Sequence, residues 1–300
     1  MQDKVFKIGY FADGPWSHRA LELLLQDPSI AIEFIVPRTD TQDEILFSQA
    51  KSHGIDYLYP VKINSDEFIE QARFYSCDLF VSMSFNQIFR KEIINVPRLK
   101  TINCHAGKLP FYRGRNILNW AIINDEIEFG ITVHYIDEGI DTGDIILQNT
   151  YPISDQDDYS TLLSIAHEEC ATLLVQAIKQ IQNGKATRTN QKNIHPTGFY
   201  CGKRGFGDEV IDWNQSSRQL FNFIRSICKP GPIARTSING HEVKINEAVY
   251  IKDAPEYINT PGQLLMKTEL GFLVKTLDSF IEIRNIESDI SLKVGDKLGK

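Results

Sequence analysis

An asparagine and a histidine two positions apart, Asn103 and His105, end an apolar run at the start of the segment TINCHAGKLPFYRGRNILNW, residues 101–120. In a β-strand, residues two apart point to the same face, so these two side chains are expected to project together. The asparagine amide donates N–H groups, and the histidine ring donates or accepts a proton near neutral pH. The pair is therefore suited to holding an oxyanion that forms on a carbonyl carbon.

A carboxylate that orients the imidazole or moves a proton is expected nearby, and the segment DEGIDTGDI supplies Asp137, Asp141 and Asp144. Asp141 is preferred because it lies in the middle of the loop between two strand-like runs. Asparagine, histidine and aspartate converging in one cleft would serve acyl transfer to an amine without a metal. The structural alternatives are that Asn-x-His caps a turn and that the loop is an ordinary hairpin rich in Gly and Asp.

The first half of the chain, which contains these residues, alternates short apolar runs with segments of helical periodicity. Such alternation predicts βαβ units and a mainly parallel sheet, and ligands bind at the carboxyl edge of such a sheet. Strands are predicted at 5–11, 30–36, 78–83, 99–104, 131–137 and 144–153, and helices at 16–26, 43–54, 116–124 and 161–182. The predicted fold class is α/β with a Rossmann-like domain.

The last third of the chain has a different pattern. Residues 184–212 are polar and glycine-rich, which predicts a linker on the surface. A helix is predicted at 216–228 and strands at 241–251, 262–267, 271–276 and 280–286, which favours a small β-barrel or sandwich. Because 300 residues exceed a comfortable single core, we divide the chain into a catalytic domain (1–183), a linker (184–212) and a β domain (213–300).

Composition and charge narrow the classes of function. The net charge of −7 argues against bulk attraction to nucleic acid or to an anionic membrane. Five cysteines without a CxxC pair indicate reduced thiols in a cytosolic protein. The N-terminus has no long apolar run of a secretory signal, and no segment approaches the roughly 20 apolar residues of a membrane helix. We therefore expect a cytoplasmic protein without a membrane partner.

The segment from Asn103 to Gln148 resembles the signature region of the formyltransferases that use 10-formyltetrahydrofolate. It contains an Asn-x-His pair followed by Leu-Pro-x-Tyr-Arg-Gly, then Gly-x-Thr-x-His, and then an Asp-x-Gly-Asp loop. Several independent anchors over about 45 residues make this a specific resemblance. It implies that Asn103, His105 and Asp141 form a catalytic trio.

The same resemblance implies a binding site for 10-formyltetrahydrofolate, the formyl donor. That site is expected in the segment SMSFNQI (82–88) and in the loop that follows Glu138. The donor-binding residues implied are Met83, Ser84, Phe85, Ile88, Gly139, Ile140 and Asp144. A weaker similarity over residues 201–232 to the C-terminal domain of the family implies an OB-like β-barrel there.

Three branches of this family differ in the amine that receives the formyl group: initiator methionyl-tRNA, a glycinamide ribonucleotide, or a nucleotide-linked amino sugar. The glycinamide branch is a shorter, single domain. A tRNA substrate requires a basic surface, but residues 37–52 carry two basic and three acidic residues, and residues 213–300 carry twelve Lys or Arg against ten Asp or Glu. The block YRGRNILNW (112–120) is similar instead to the sugar-formylating members.

The preferred acceptor is therefore a nucleotide-diphosphate-linked amino-deoxy sugar of bacterial surface glycans, with no nucleic acid as partner and initiator tRNA as the alternative. Guanidinium groups suit diphosphate oxygens, and an aromatic ring can stack a nucleotide base. The acceptor-binding residues expected are Arg113, Arg115, Asn116, Trp120, Tyr200, Lys203 and Arg204. The alternatives are that Arg113 pins the loop to nearby carbonyls and that residues 200–204 form a solvated loop.

A protein of another class would share this fold, bind folate or a nucleotide without turnover, and serve regulation. The presence of all three residues Asn103, His105 and Asp141 disfavours that hypothesis. The sequence leaves open whether the C-terminal domain mediates homodimerisation.

Overall fold

The computed structural model of the chain describes residues 5–41 and 43–299, which form two compact units. Within those residues, unit 1 contains the chain up to Gly114 together with 130–151 and 164–200. Unit 2 contains 115–129, 152–163 and the chain from Cys201 onward. Both units therefore draw on the first half of the sequence.

The strands and helices of the described residues are numbered in chain order. The strands are β1 (Phe6–Ala12), β2 (Ile30–Val36), β3 (Asp56–Tyr57), β4 (Leu79–Met83), β5 (Thr101–His105), β6 (Arg113–Gly114), β7 (Glu128–Tyr135), β8 (Ile145–Pro152), β9 (Tyr200–Cys201), β10 (Ala234–Ile238), β11 (His241–Val249), β12 (Leu264–Lys267), β13 (Gly271–Lys275) and β14 (Phe280–Ser288). The helices are α1 (Pro15–Leu25), α2 (Glu44–His53), α3 (Asp66–Phe74), α4 (Lys91–Ile94), α5 (Ile117–Ile123), α6 (Tyr159–Gln182) and α7 (Ser217–Ser226).

The sheet of unit 1 has the strand order β3-β2-β1-β4-β5-β7-β8. The pairs β1–β2, β1–β4, β2–β3 and β4–β5 are parallel, and β5–β7 is antiparallel. The sheet is thus mainly parallel, which confirms the predicted α/β fold. The strands and helices predicted before residue 183 are all present, with ends that differ by a few residues.

Helix α3 lies where the sequence predicts no element. Ser65 caps it, because the Ser65 side chain accepts a hydrogen bond from the backbone N–H of Phe68. Asp66 and Glu67 in the first turn suit the positive end of the helix dipole. The helix buries Phe68 and Ile69 in the core of unit 1. It is only nine residues long and carries four acidic or basic side chains, so its apolar pattern is weak.

Strands β1, β4 and β5 end side by side at the carboxyl edge of the sheet, because Ala12 pairs with Met83 and Met83 pairs with Cys104. A phenylalanine-rich core lies next to this edge. The ring of Phe11 contacts those of Phe34 and Phe80, with centroids 5.7 and 5.2 Å apart in edge-to-face contacts. The strand ends at this edge therefore lie next to a well-packed hydrophobic core.

Unit 2 contains an antiparallel sheet in the order β10-β11-β14-β13-β12. Helix α7 begins with a capping box between Ser216 and Gln219 and buries Leu220 and Ile224. A C-terminal β domain with one helix is thus confirmed, and β10 is a strand that the sequence interpretation omitted. Among the described residues, no helix combines the length and the apolarity that a bilayer span requires.

Candidate active site

Asn103 and His105 end strand β5 and share one face of the sheet, because they lie two residues apart. Asn103 is flanked by its pairing partners, Ser82 on β4 and His134 on β7. His105 is buried, and its ring Nε2 lies 2.7 Å from the carbonyl oxygen of Tyr112. Since a carbonyl oxygen only accepts, Nε2 carries a hydrogen, and Nδ1 is the ring atom left for other partners.

Asp141 reaches the same cluster from the loop between β7 and β8. Its backbone φ is +54°, in the left-handed region that few residues other than glycine adopt. Its Oδ2 accepts a hydrogen bond of 2.9 Å from the backbone N–H of Gly114 and lies 3.7 Å from Nδ1 of His105. The carboxylate is 12% exposed, so it faces the histidine from a largely buried position.

His134 is a further member of the cluster, to which the sequence interpretation gave no role. Its Nδ1 donates to the carbonyl of Tyr135 over 2.8 Å, and its Nε2 lies 3.3 Å from Nδ2 of Asn103 and 3.5 Å from Oδ1 of Asp141. In the neutral ring Nε2 accepts from the Asn103 amide, and in the protonated ring it donates to Asp141. The signal that could have found it is the Gly-x-Thr-x-His pattern, which contains this histidine, and the pairing of β7 with β5 then places it opposite Asn103.

The electrostatics of the cluster centre on Asp141. Burial by itself would raise the pKa of its carboxyl, because desolvation disfavours the charged form. His105 and His134 face the carboxylate and Gly114 donates to it, and together they hold the pKa well below its usual range. Asp141 is therefore ionised at neutral pH, and its carboxylate faces both imidazole rings.

The Asn103 amide, the imidazole of His105 and the ionised carboxylate of Asp141 thus meet in unit 1. The contacts of 3.3 to 3.7 Å that link Asn103, His105, His134 and Asp141 are longer than ordinary hydrogen bonds. Their donors are therefore incompletely satisfied and can bind a substrate oxygen. Preorganised donors of this kind stabilise an oxyanion during transfer of an acyl group.

Arg113, which the sequence assigned to acceptor binding, has a partner within unit 1. Its Nε and Nη2 lie 3.2 and 2.6 Å from Oε1 of Gln191, and its guanidinium lies over the ring of Tyr200, 5.5 Å from the centroid. This geometry favours the structural alternative for Arg113. Gln191 is itself buried, although it lies in the predicted linker, where a polar composition gave no signal for it.

The residues of segment 82–88 that were expected to bind the donor differ in exposure. Met83 is buried with its Sδ 3.6 Å from the hydroxyl of Tyr10, so its side chain belongs to the core and only its backbone can reach a ligand. Ser84 and Phe85 are half-buried, and Ile88 is 62% exposed. Ser84 has a positive φ of 57°, which turns the chain just after β4.

The loop after β7 supplies the other expected donor-binding residues, and it borders a cavity of about 330 Å³. Gly139 and Ile140 are exposed, whereas Asp144 is half-buried and accepts a hydrogen bond of 3.1 Å from Nδ2 of Asn190. The cavity is lined by residues that include Gly143, Asp144, Tyr135, Ile136, Ile94 and Asn95. Of the expected donor-binding residues, Asp144 is the one that lines this cavity.

The remaining expected acceptor-binding residues, Arg115, Asn116, Trp120, Lys203 and Arg204, lie in unit 2. Oδ1 of Asn116 accepts a hydrogen bond of 2.9 Å from the backbone N–H of Arg204, so the two expected segments lie side by side. The Arg204 guanidinium lies 5.4 Å from the ring centroid of Trp120. Burial lowers the pKa of this guanidinium. Arg115 and Lys203 are exposed.

A mainly parallel sheet with an Asn-His-Asp cluster at its carboxyl edge is suited to the transfer of an acyl group, and the comparison with similar proteins specifies the family. The family described as "Formyl transferase" matches residues 33–178, and "Formyl transferase, C-terminal domain" matches residues 207–293. The methionyl-tRNA formyltransferase of Ruminiclostridium cellulolyticum is 32% identical over 268 residues, 84% of each chain. This chain therefore belongs to the formyl transferase family of enzymes.

Two solved structures share the fold across almost the whole chain. WlaRD, a sugar 3N-formyl transferase solved in the presence of dTDP and 5-N-formyl-THF, has a TM-score of 0.68 and 23% identity, and the match covers 96% of this chain and 99% of WlaRD. The N-formyltransferase of Helicobacter canadensis, solved with folinic acid and dTDP-3-aminofucose, has a TM-score of 0.67 and 22% identity, with 94% and 100% covered. At these identities the likeness shows the fold.

Proposed function

We propose that this chain transfers a formyl group from 10-formyltetrahydrofolate to the amine of a nucleotide-diphosphate-linked amino-deoxy sugar, as a step in building bacterial surface glycans such as lipopolysaccharide. The observation that carries the chemistry is the cluster of Asn103, His105 and Asp141, in which Asp141 is ionised and faces two histidines. The two structural neighbours, solved with folates and with dTDP or a dTDP-linked amino sugar, support the donor and the acceptor.

Each residue of the cluster has a different role in the proposed transfer. When the acceptor amine attacks the formyl carbon, the formyl oxygen takes up negative charge, and Asn103 Nδ2–H and His105 Nδ1–H donate to it. The carbonyl oxygen of Tyr112 accepts from Nε2 of His105, which leaves Nδ1 to face Asp141 and the substrate oxygen. Asp141 stabilises the imidazolium of His105. As the bond between the formyl carbon and the folate nitrogen breaks, the proton that the attacking amine loses passes to the Asp141 carboxylate and from there to the leaving nitrogen.

The loop at Gly139–Asp144 fits a role in donor binding. An added Cβ at Gly143 would lie 1.8 Å from the carbonyl oxygen of Tyr135, and one at Gly139 would lie 2.1 Å from Oγ1 of Thr142. The loop backbone therefore packs closely against the end of β7, and the adjoining cavity keeps a volume in the range of small-molecule sites. Its mixed apolar and polar lining suits a ring system with several hydrogen-bonding groups.

The charges of the described residues favour a small anionic acceptor over tRNA. A tRNA surface needs many free cations to neutralise phosphates. In unit 2 several basic side chains are instead paired with carboxylates: Arg218, Lys229, Arg235 and Arg284. Arg38 of the 37–52 segment is likewise 2.8 Å from Asp40. The exposed cations Arg115 and Lys203 suffice for a diphosphate.

Initiator methionyl-tRNA is the second candidate acceptor. The observation that favours it is the 32% identity to methionyl-tRNA formyltransferases over 84% of the chain, which exceeds the identity to the two sugar N-formyltransferase structures. The donor and the residues of the cluster would be the same for either acceptor, so the two candidates differ only in what delivers the amine.

The test is release of tetrahydrofolate by the purified full-length chain with 10-formyltetrahydrofolate. The acceptors are dTDP-, UDP- and GDP-linked 3-amino- and 4-amino-deoxy sugars, their N-acetylated forms as controls without a free amine, and charged initiator tRNA. We expect turnover with one amino sugar and none with its N-acetylated form or with tRNA. Turnover with tRNA alone would replace the sugar by the second candidate. No turnover with any acceptor would favour a regulatory binding protein.

A further inference from the structure

Three consecutive residues of the predicted linker, Thr189, Asn190 and Gln191, run beside the loop that carries Asp141. Thr189 exchanges two backbone hydrogen bonds of 2.9 Å with Ile145 at the start of β8. Nδ2 of Asn190 donates to the carboxylate of Asp144. Gln191 reaches furthest, because its amide contacts the backbone on both sides of Thr142. We call residues 189–191 the strap.

The amide of Gln191 is completely used. Its Nε2 donates to the carbonyl oxygens of Asp141 and Gly143, both over 2.8 Å, and its Oε1 accepts from Nε and Nη2 of Arg113. An amide has two N–H donors and two lone pairs, so every hydrogen-bonding group of this side chain has a partner. Gln191 is 2% exposed as a residue, and an unpaired polar atom there would be costly.

These contacts close a circuit through two adjacent residues of β6. Arg113 holds Gln191, Gln191 holds the carbonyl of Asp141, and the backbone N–H of Gly114 holds the carboxylate of Asp141. Asp141 has a left-handed φ of +54°, which aspartate adopts more readily than most residues but which its surroundings must favour over the commoner extended and right-handed conformations. The circuit fixes the backbone and the carboxylate of this one residue from the same short strand.

We propose that Gln191 is a positioning residue for formyl transfer, which acts by holding Asp141 in the left-handed conformation that directs its carboxylate to His105. This inference rests on the proposed function for its kinetic test, although the geometry it concerns does not. Neither of the two residues most similar to glutamine makes all of these contacts: glutamate lacks the two N–H donors, and asparagine is shorter by one methylene group.

The variants Gln191→Met and Gln191→Glu test the proposal. Methionine keeps the volume of the side chain but has no amide. Glutamate keeps an acceptor for Arg113, but its second oxygen would face the carbonyl oxygens of Asp141 and Gly143 and repel them. Because a misplacement of about 1 Å costs about 100-fold in rate, we expect kcat to fall by about 10- to 100-fold in both variants. KM for donor and acceptor should change much less than kcat. If kcat fell only in proportion to the fraction of protein that is folded, the role of Gln191 would be structural only.

Two further measurements separate positioning from general destabilisation. Gln191→Met should cost nothing more in the Asp141→Asn background, because both changes remove the same carboxylate function. The matched control is Gln148→Met, since Nε2 of Gln148 also bridges a carbonyl and a hydroxyl of unit 1, those of Leu109 and Thr132. Its effect should add to that of Asp141→Asn. Additive losses for Gln191→Met would overturn the proposal.

An NMR measurement keeps the proposal testable if every acceptor fails. The ¹⁵N shifts of the His105 ring report the carboxylate that faces its Nδ1. We expect these shifts to change in Gln191→Met and to stay at their wild-type values in Gln148→Met. Unchanged His105 shifts in a folded Gln191→Met protein would show that the strap does not position Asp141, whatever the acceptor proves to be.

Discussion

Two aspartates, Asp141 in unit 1 and Asp278 in unit 2, are partly buried, and both keep a lowered pKa although burial raises it. Their partners differ. The Asp278 carboxylate accepts from the backbone N–H groups of Ser217 and Ser279, both at 2.8 Å, and from the hydroxyl of Thr276 at 2.9 Å. Asp141 has one such bond, to Gly114, and otherwise faces two histidines at 3.5 and 3.7 Å.

The difference distinguishes a carboxylate that holds the fold from one that is available for chemistry. Neutral donors at short distance converge on Oδ1 of Asp278 and tie helix α7 to the loop between β13 and β14. The partners of Asp141 can gain or lose protons, and the distances leave room for a ligand to change the network. We expect the number of short, fixed donors around a buried carboxylate, more than its pKa, to separate a structural role from a catalytic one.

The largest expected effect is the loss of kcat in Asp141→Asn, by about 10²- to 10⁴-fold. Asparagine keeps the size of the side chain but cannot stabilise the His105 imidazolium. Steady-state kinetics with the identified acceptor measures the loss, and circular dichroism confirms the fold. A variant with wild-type kcat would remove Asp141 from the reaction.

Asn103→Ala is expected to lower kcat by about 10²- to 10³-fold, because it removes one donor to the oxyanion. KM for both substrates should change less than kcat, since the contact forms in the transition state. Asn103→Asp is the matched control: it keeps the size, replaces the donor by a negative charge, and should be at least as inactive as the alanine variant. Activity in Asn103→Asp would contradict the oxyanion role.

His134→Phe is expected to lower kcat by about 10-fold, because a freely rotating Asn103 amide points a donor at the substrate less often. Phenylalanine keeps the planar ring without the nitrogens. If His134 acts through Asn103, the double variant with Asn103→Ala should be no slower than Asn103→Ala alone. A multiplied loss would instead give His134 an independent role.

The variant Asp278→Asn tests whether the second carboxylate of the comparison contributes to stability and not to catalysis. It should leave kcat and KM at wild-type values while lowering the free energy of unfolding by about 1 to 3 kcal/mol, since several buried donors lose a charged acceptor. Urea denaturation measures the change. A loss of activity without loss of stability would show that the short, fixed contacts do not mark a structural carboxylate.

The smallest expected effect is on the pH dependence of stability. Each aspartate has a folded pKa below its unfolded value of about 3.9, so its contribution to stability is present above about pH 4 and is lost as the pH falls further. The wild type should therefore lose more free energy of unfolding between pH 5 and pH 3 than either Asn variant. An identical slope in all three proteins would contradict the lowered pKa values.

The sequence predicted the parts of the molecule that depend on local periodicity and on dense motifs. The alternation of strands and helices predicted the mainly parallel sheet, and a period of two predicted that Asn103 and His105 share a face. Asp141 was chosen from its place in the loop, and the structure brings its Oδ2 to 3.7 Å from His105. Each of these inferences used only residues a few positions apart or within one continuous segment of the sequence.

The parts that were missed depend on contacts between distant residues. Gln191 contacts a loop 50 positions earlier in the chain, and a single glutamine in a polar stretch carries no sign of such a partner. His134 lies opposite Asn103 only because β7 pairs antiparallel with β5, a register that its own sequence does not state. The identity of the partner, which decides the role of a polar residue, is a property of the fold.

The most direct test of the central claim is to identify the product of one reaction mixture. Wild-type protein, 10-formyltetrahydrofolate and each nucleotide-linked amino sugar are incubated, and the acceptor is analysed by mass spectrometry while tetrahydrofolate release is followed. We predict one formyl group on the amine of one sugar for each tetrahydrofolate released, and almost no product with Asp141→Asn. Tetrahydrofolate release without a formylated acceptor, or equal product from Asp141→Asn, would contradict the account.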